Sequence, residues 1–372
     1  MYSENNSSLP TRLFFIIVCG LVFYGPWQME AQTSSNKPLN YDTNYFKSYT
    51  NALTTRLYAS VKFANFSVVD QSLNKSLDYR VNDKVMLGFG ANYSVFGLNI
   101  AFNFPFNKWD HSKYGETTYL DLQSHLYLRR YIVDLYLQRY KGFYLDDPTS
   151  VIDGWPEQDT FPKRPDITIV DAGLTVQYIV NSKKFSYRAA YLQNEWQKKS
   201  AGSIIFGASA FYILVRGDSS IIPSNVSPAL FAQGNKFDRM NQLSVGINGG
   251  YTYTFVAWKS FFLAFGLTAG PAFGNITIHE SGLKLSNKHE FSLNINALGR
   301  ASLGYNSRKI YVGVFYLNQV IGNKMPQENV WNFVNTGNFR FNLVYRFKLN
   351  KPIKWLNPDF WKFIQKKEYA TD

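Results

Sequence analysis

The feature that most constrains this chain is a two-residue alternation running through residues 118–145, TYLDLQSHLYLRRYIVDLYLQRYKGFYL. Leu120, Leu122, Leu126 and Leu128 fall on one side of the period, and Tyr119, Asp121, Gln123, His125, Tyr127 and Arg129 on the other. A period of two belongs to an extended strand, whose successive side chains point to opposite faces. After a turn near Arg129, Arg130 and Tyr131 the rhythm resumes, with Val133, Leu135 and Leu137 opposed to Asp134, Tyr136, Gln138 and Tyr140. The stretch reads as a hairpin with one face for hydrocarbon and one for water.

The same rhythm marks strand candidates over residues 56–66, 84–95, 98–104, 167–180, 185–196, 202–215, 243–255, 261–273, 291–304, 310–317 and 339–347. Their lengths suit tilted strands crossing an outer membrane. Connections alternate between tight (96–97, 129–131, 181–184, 257–260, 306–309) and long (67–83, 105–116, 142–166, 275–290, 318–337), as in barrels with short periplasmic turns and long outer loops. The two phases fail to meet around residues 195–240. With the hairpin the candidates number thirteen, whereas a closed barrel of this kind has an even count, so 12 or 14 strands are expected. The fold class is therefore all-β: a single transmembrane antiparallel up-and-down β-barrel.

No run of about 20 apolar residues is present, which argues against a helical membrane protein. Aromatic residues make up 17% of the chain, the composition of a barrel with aromatic girdles at its two interfaces. Arg12 followed by the apolar stretch 13–25 reads as an export signal ending near Ala31. Cys19, the single cysteine, lies inside it. The expected organisation is a signal peptide over 1–31, a periplasmic segment over 32–51, the barrel over 52–348 and a basic, aromatic tail over 349–372. Asn357 and Pro358 mark an N-cap and first turn for a short amphipathic helix in that tail. Trp355, Trp361, Lys362, Lys366 and Lys367 are its candidates for contact with the membrane surface.

The runs LDYRVNDKVMLGFGANYSVFGLNIAFNFPF, LDLQSHLYLRRYIVDLYLQRYKGFYL and FSYRAAYLQNEWQKKSAGSIIFGASAFY resemble an uncharacterised family of Gram-negative outer-membrane barrels, the domain-of-unknown-function family numbered four-four-two-one. The resemblance covers roughly residues 45–348 and rests on Tyr79 and Asn82, Asp134, Tyr140 with Gly142 and Phe143, and Gln197 with Ser200 and Gly202. It implies export and an outer-membrane barrel, and it brings no activity or catalytic residue.

Function is less constrained. The net charge is +13, and Arg129, Arg188, Arg340 and Arg346 fall within strands, several on the inward side. The candidate lumen lining is Asp121, Gln123, His125, Arg129, Asp134, Arg188, Arg340 and Arg346, a partly basic surface that favours anionic small solutes if the lumen is open. Arginines paired with Asp134, Asp171 or Glu195 would instead plug a narrow barrel. Asp121 and His125 are four residues apart on one strand, roughly 13 Å, too far for a hydrogen bond, and Ser124 points to the opposite face. No catalytic triad, metal site or cofactor follows. The acidic cluster Asp146, Asp147, Asp153, Glu157 and Asp159 lacks the spacing of a defined calcium loop. The leading expectation is a passive pore or transport barrel. Beside it stands a surface-organising barrel binding lipopolysaccharide, glycan or a protein through its loops and tail, and, third, a lipid hydrolase. Outer-membrane lipids and lipopolysaccharide are the expected surroundings; nucleic acid is not an expected partner, and protein partners are left open.

Overall fold

The computed structural model describes residues 40–49, 52–93, 96–103, 110–152, 154–156, 160–226, 231, 237–280, 287–325 and 329–349. The expected signal peptide and the tail with its helix, Trp355, Trp361, Lys362, Lys366 and Lys367, lie outside them.

The chain forms an antiparallel barrel. Its strands are β1 (Phe46–Ser48), β2 (Ala52–Asp70), β3 (Lys75–Arg80), β4 (Lys84–Tyr93), β5 (Phe96–Asn103), β6 (Thr118–Tyr127), β7 (Tyr131–Asp146), β8 (Lys163–Ile179), β9 (Glu195–Gln197), β10 (Ala201–Arg216), β11 (Phe237–Ala257), β12 (Phe261–Glu280), β13 (Asn287–Asn306), β14 (Ile310–Lys324) and β15 (Val330–Lys348). Two one-turn helices accompany them, α1 (His111–Tyr114) and α2 (Tyr187–Tyr191). Ten strands close a ring in the order β2, β3, β7, β8, β10, β11, β12, β13, β14, β15, with β15 returning to β2. β4, β5 and β6 hang from this ring: β4 pairs β2, β5 pairs β4, and β6 pairs β7.

β3 and β4 are successive parts of one line of chain along β2. Between them the pairing register shifts by one residue, from Asn65 opposite Arg80 to Lys62 opposite Lys84. That is the signature of a bulge, which bends a strand and breaks its ladder locally. The closed ring has ten strands, fewer than the 12 or 14 expected, because β4, β5 and β6 hang from it and do not enter it.

The thirteenth candidate was the error. Residues 185–196 are not a wall strand but α2, a turn and β9, folded into the barrel mouth. Ser186 caps α2 by accepting from the Ala189 amide, and Tyr187, Arg188, Ala189, Ala190 and Tyr191 are all buried. A segment buried on every side has no lipid face, so its apolar residues mimic a strand while obeying no strand alternation. β9 pairs antiparallel with β1, which ties residues 46–48 of the N-terminal segment into the same plug. Residues 67–83 are likewise not a long loop: β2 and β3 meet at a tight turn over 71–74.

Strands of 19 to 21 residues in β2, β11, β12, β13 and β15 are far longer than the 9–11 a tilted strand needs to cross a bilayer. The surplus has a distinct chemistry. Along β12 the outward residues Phe261, Leu263, Phe265, Leu267 and Phe273 are exposed and apolar, and the next outward residues are Asn275, Thr277 and His279. Inside, Thr268, Gly270, Ala272 and Gly274 give way at the same level to buried Ile276 and Ile278. β11 inverts in the same sense: Leu243, Val245 and Ile247 face out, then Asn241 and Arg239, while Gln242 and Ser244 inside give way to Met240. The lower part of the wall is built for hydrocarbon outside, and the upper part, on the long-loop side, is built like a water-soluble sandwich around its own core. That core gathers Phe66, Leu77, Tyr79, Phe143, Leu145, Ile167, Ile213, Ile276 and Ile278. Near the short-turn end a girdle of outward aromatics rings the wall, including Tyr131 on Tyr178, Tyr253 on Phe255, and Trp258 on Phe261 on Tyr305.

Candidate functional site

Two fillings leave little of the lumen empty: the apolar core above and the plug below. Between them lies a polar cavity of about 180 Å³. Its wall comes from β2 (Arg56), β4 and β5 (Asn92, Asn99), β6 (Gln123, Ser124, His125, Leu126), β15 (Asn338, Arg340, Asn342) and the plug (Arg188, Tyr191, Gln193).

The plug is fixed to the wall by guanidinium groups, because a closely packed loop exposes carbonyls that need donors. Arg346 donates to the Gln193 carbonyl through Nε at 2.9 Å and Nη2 at 2.6 Å, and to Asn306 Oδ1 at 2.9 Å. Arg56 donates from Nη2 to the Leu192 carbonyl at 3.1 Å. Asn306 donates from Nδ2 to the carbonyls of Ala189 and Glu195. Arg129, in the β6–β7 turn, forms a buried ion pair with Glu195 of β9, whose other oxygen accepts from Ser186 Oγ. Burial alone would raise the Glu195 carboxyl, but the charges of Arg129 and Arg188 and these hydrogen bonds hold it below its usual range.

A second ion network crosses the lumen. His125 Nδ1 lies 2.6 Å from Asp134 Oδ1 directly across the β6–β7 ladder, and Asp134 Oδ2 accepts from Arg300 Nη2 at 2.6 Å. Arg300 also reaches the Tyr187 hydroxyl of α2. Asp121 takes Lys62 Nζ at 3.0 Å and the Tyr140 hydroxyl at 2.7 Å. Thus Asp121, Asp134 and Glu195 each have a cationic partner.

Arg56 and Arg340 differ. Among the described residues neither forms an ion pair with a carboxylate. Arg340 lies with its guanidinium carbon 4.9 Å from the centre of the Tyr58 ring, and its Nε has no hydrogen-bond partner. A desolvated cation without a counter-ion is costly, so this pair is the electrostatic imbalance of the cavity.

Of the expected lumen residues, Gln123, His125, Arg188 and Arg340 line this cavity, and Asp134 stands behind His125. Asp121 faces inward outside it, bonded to Lys62 and Tyr140. Arg129 belongs to a turn and Arg188 to the plug helix, not to wall strands as expected. Arg346 is spent on the plug. Sequence reading missed Arg56 and Arg300. Arg300 shares the inward parity of Ser292, Asn294 and Asn296, so the alternation contained it; Arg56 opens its strand candidate with the same parity as Ser60. In the acidic cluster Asp146 pairs with Arg80 at 2.9 Å and Asp147 accepts from Thr149, while Asp153, Glu157 and Asp159 lie outside the described residues.

Among the described residues the wall around the cavity lacks one pairing. No ladder joins β5 to β6 among the described residues. Above them the ring is closed by three residue pairs between β3 and β7: Asp78 with Asp146, Tyr79 with Leu145 and Arg80 with Tyr144. The fork where β6 gives way to β3 is pinned by Thr117, which donates to the Gly142 carbonyl at 2.7 Å and accepts from the Asn82 amide at 2.9 Å. Tyr79, Asn82, Tyr140, Gly142 and Phe143, singled out in the sequence for a family resemblance, all cluster about this fork. Gln197 of the same set holds the plug, with Nε2 donating to the Lys184 and Lys199 carbonyls and Oε1 accepting from the Ser186 amide.

Residues 40–347 match a protein family described as "Domain of unknown function (DUF4421)". No curated protein matches the chain. Among solved structures it is similar to the outer membrane protease OmpT from Escherichia coli, with 9% identity, a TM-score of 0.35, and coverage of 81% of this chain and 98% of that one. It is also similar to the outer membrane protein OprG from Pseudomonas aeruginosa, at 10% identity and a TM-score of 0.22 with 79% and 98% covered. A third, OmpT of Vibrio cholerae, an outer membrane protein, shares 12% identity at a TM-score of 0.26 with 81% and 99% covered. No residue role passes from these structures to this chain.

Proposed function

We propose that this chain, which belongs to the DUF4421 family, is an outer-membrane transport barrel whose lower lumen binds small anionic solutes. The outward belt of Leu, Ile, Phe and Tyr with its aromatic girdle supports the membrane placement, since such a surface is stable in hydrocarbon and not in water. The observation that carries the solute class is the pair Arg56 and Arg340 on the cavity wall, neither of them in an ion pair with a carboxylate among the described residues. An anion entering there supplies the missing counter-charge, whereas a cation adds to the imbalance.

The axis is obstructed at both ends of the cavity, so the barrel is not a standing open pore. Passage of solute requires the plug of α2, β1 and β9 to shift. Single-channel recording in planar bilayers tests this: the expected behaviour is a mostly closed barrel with rare anion-selective openings. A barrel with no openings, or with cation-selective ones, contradicts it.

One observation favours a second reading, a lipid hydrolase. Asp134, itself held by Arg300, accepts from His125 Nδ1 in the natural assignment of the imidazole, which leaves Nε2 free to act as a base beside the cavity. Lipid profiles unchanged by His125→Ala would dispose of it.

A further inference from the structure

The unjoined edges of β5 and β6 lie in the part of the wall that faces hydrocarbon. On β5 Leu98, Ile100 and Phe102 point outward and exposed, and on β6 Leu120 and Leu122 do so. An open sheet edge presents a row of unpaired amides and carbonyls, and inside a bilayer such a row has no water to satisfy it. Closed barrels exist to avoid this. An unpaired seam at membrane depth therefore calls for an occupant or a function.

The cavity lies directly behind the seam and is lined from both of its sides. Asn92 and Asn99 come from the β4–β5 side, and Gln123 and His125 from the β6 side. Ser124 and Leu126 also contribute, although they alternate to the outer face of β6, so the cavity touches the free edge of that strand. Arg56 is shared between this polar cavity and an apolar groove of about 500 Å³ on the outer face, bordered by Leu57, Phe89, Leu98, Ile100 and Leu343. The axial directions are filled by the upper core and by the plug. Among the described residues the seam is the side of the cavity where no ladder closes the wall.

We propose that the β5–β6 seam is a lateral portal through which a single-chain amphiphile with an anionic head passes between the membrane and the Arg56–Arg340 cavity. This deepens the anion-binding reading and rests on it. The cavity, at about 180 Å³, is below the range of roughly 300–1,000 Å³ of sites that enclose a whole small molecule, so it takes the head and leaves the tail outside. The head, a carboxylate or phosphate, meets the two arginines and the amides of Asn92, Asn99, Asn338 and Asn342. The tail lies against the leucines and phenylalanines that flank the seam, where it shields the unpaired strand edges. A soluble anion has the same head chemistry but no need of the seam, which separates the two sources experimentally.

The test uses the full chain reconstituted in phosphatidylcholine vesicles, with a photoreactive palmitate analogue as probe and peptide mass spectrometry to place the label. In a Cys19→Ser background, Ile100→Cys and Ser124→Cys are joined across the seam by a bismaleimide linker. Label is expected in the peptides of β5, β6 and the cavity wall of the unlinked barrel, with at least a tenfold loss on linking. The same loss is expected in Arg56→Gln/Arg340→Gln, whose folding is checked by its heat-dependent shift on gels. Equal labelling in linked and unlinked barrels, or labelling indifferent to the two arginines, overturns the portal. Sodium phosphate, titrated calorimetrically into both forms, separates this failure from that of the underlying reading. Phosphate bound equally by both forms with no palmitate label keeps the anion site and removes the portal, and binding of neither probe removes both.

Discussion

Gly142 and Glu116 approach so closely that a Cβ on the glycine would lie 2.0 Å from the Glu116 carbonyl oxygen. Gly142 also carries a φ of +88°, in the left-handed region that side chains other than hydrogen disfavour. Both facts stem from its place at the fork, where the β7–β8 register shifts between Lys141 and Phe143 and the partner on the other edge changes from β6 to β3.

Replacement of this glycine by alanine combines strain with a backbone clash. Gly142→Ala is expected to destabilise the barrel by about 2 kcal/mol or more, since a left-handed non-glycine residue alone costs on the order of 1–3 kcal/mol. The midpoint of urea unfolding, read by tryptophan fluorescence in detergent, checks this. Gly154→Ala is the control. It has a positive φ of +70° but nothing within 4 Å of the added carbon, so it carries strain without collision and should lose less.

The Asp134–Arg300 pair is buried and joins β7 to β13 across the lumen. Removing one partner of such a pair leaves an uncompensated charge, a loss of roughly 3–5 kcal/mol. Asp134→Ala is expected in that range, and Asp134→Ala/Arg300→Met to recover a good part of it. A double variant no more stable than the single one would show that the carboxylate acts mainly through His125.

The plug should respond to acid. Glu195 is held below its usual 4.5 by Arg129 and Arg188 against the opposing effect of burial. A folded-state value below the unfolded one means that the unfolded chain binds the proton first as pH falls. The contribution of Glu195 is therefore fully present above about pH 5 and is lost as pH drops through 4.5 toward the lower, folded value. Hydrogen exchange over residues 187–191 should be constant from neutral pH to about pH 5, after correction for intrinsic rates, and accelerate below it. Glu195→Gln should be looser at neutral pH and lose the acid step. An acid step retained by Glu195→Gln would assign it to another carboxylate.

The hydrocarbon belt was the most legible part of the chain. The sequence-derived strands 243–255 and 261–273 coincide with the outward apolar stretches of β11 and β12, because alternation with an oily outer face is what a bilayer demands. They stop where Asn241 and Asn275 take the outer face, and the strands themselves run on to Phe237 and Glu280. Beyond that level the parity inverts, and a reading tuned to one sense of alternation sees a loop. The plug was illegible for a different reason: Tyr191 meets Phe315 of β14 edge-on and Arg188 lines the cavity together with residues of β2, β6 and β15, placements that no local period encodes. The seam was equally hidden, since β5 and β6 have ordinary strand patterns and only their failure to pair distinguishes them.

The inversion itself makes the last prediction. If the belt ends where the outer residues turn polar, the cost of a charge on the outer face of β12 must fall steeply within a few residues. Leu267 stands in the middle of the belt and Asn275 just above it, on the same face of the same strand. Leu267→Arg is expected to destabilise the membrane-inserted barrel by about 2–4 kcal/mol, and Asn275→Arg by about 0–1 kcal/mol. Ile278→Arg, which faces the packed upper core, should again be severe, although its level is outside the hydrocarbon, because it buries an unpaired charge among apolar side chains. Reversible folding into phosphatidylcholine vesicles measures all three. A bilayer penalty depends on depth and a core penalty does not, so thinner-chain lipids should ease Leu267→Arg and leave Ile278→Arg unchanged. Equal costs for Leu267→Arg and Asn275→Arg would mean that the hydrocarbon extends past the inversion, and that the polar outer ends of the strands lie within the membrane.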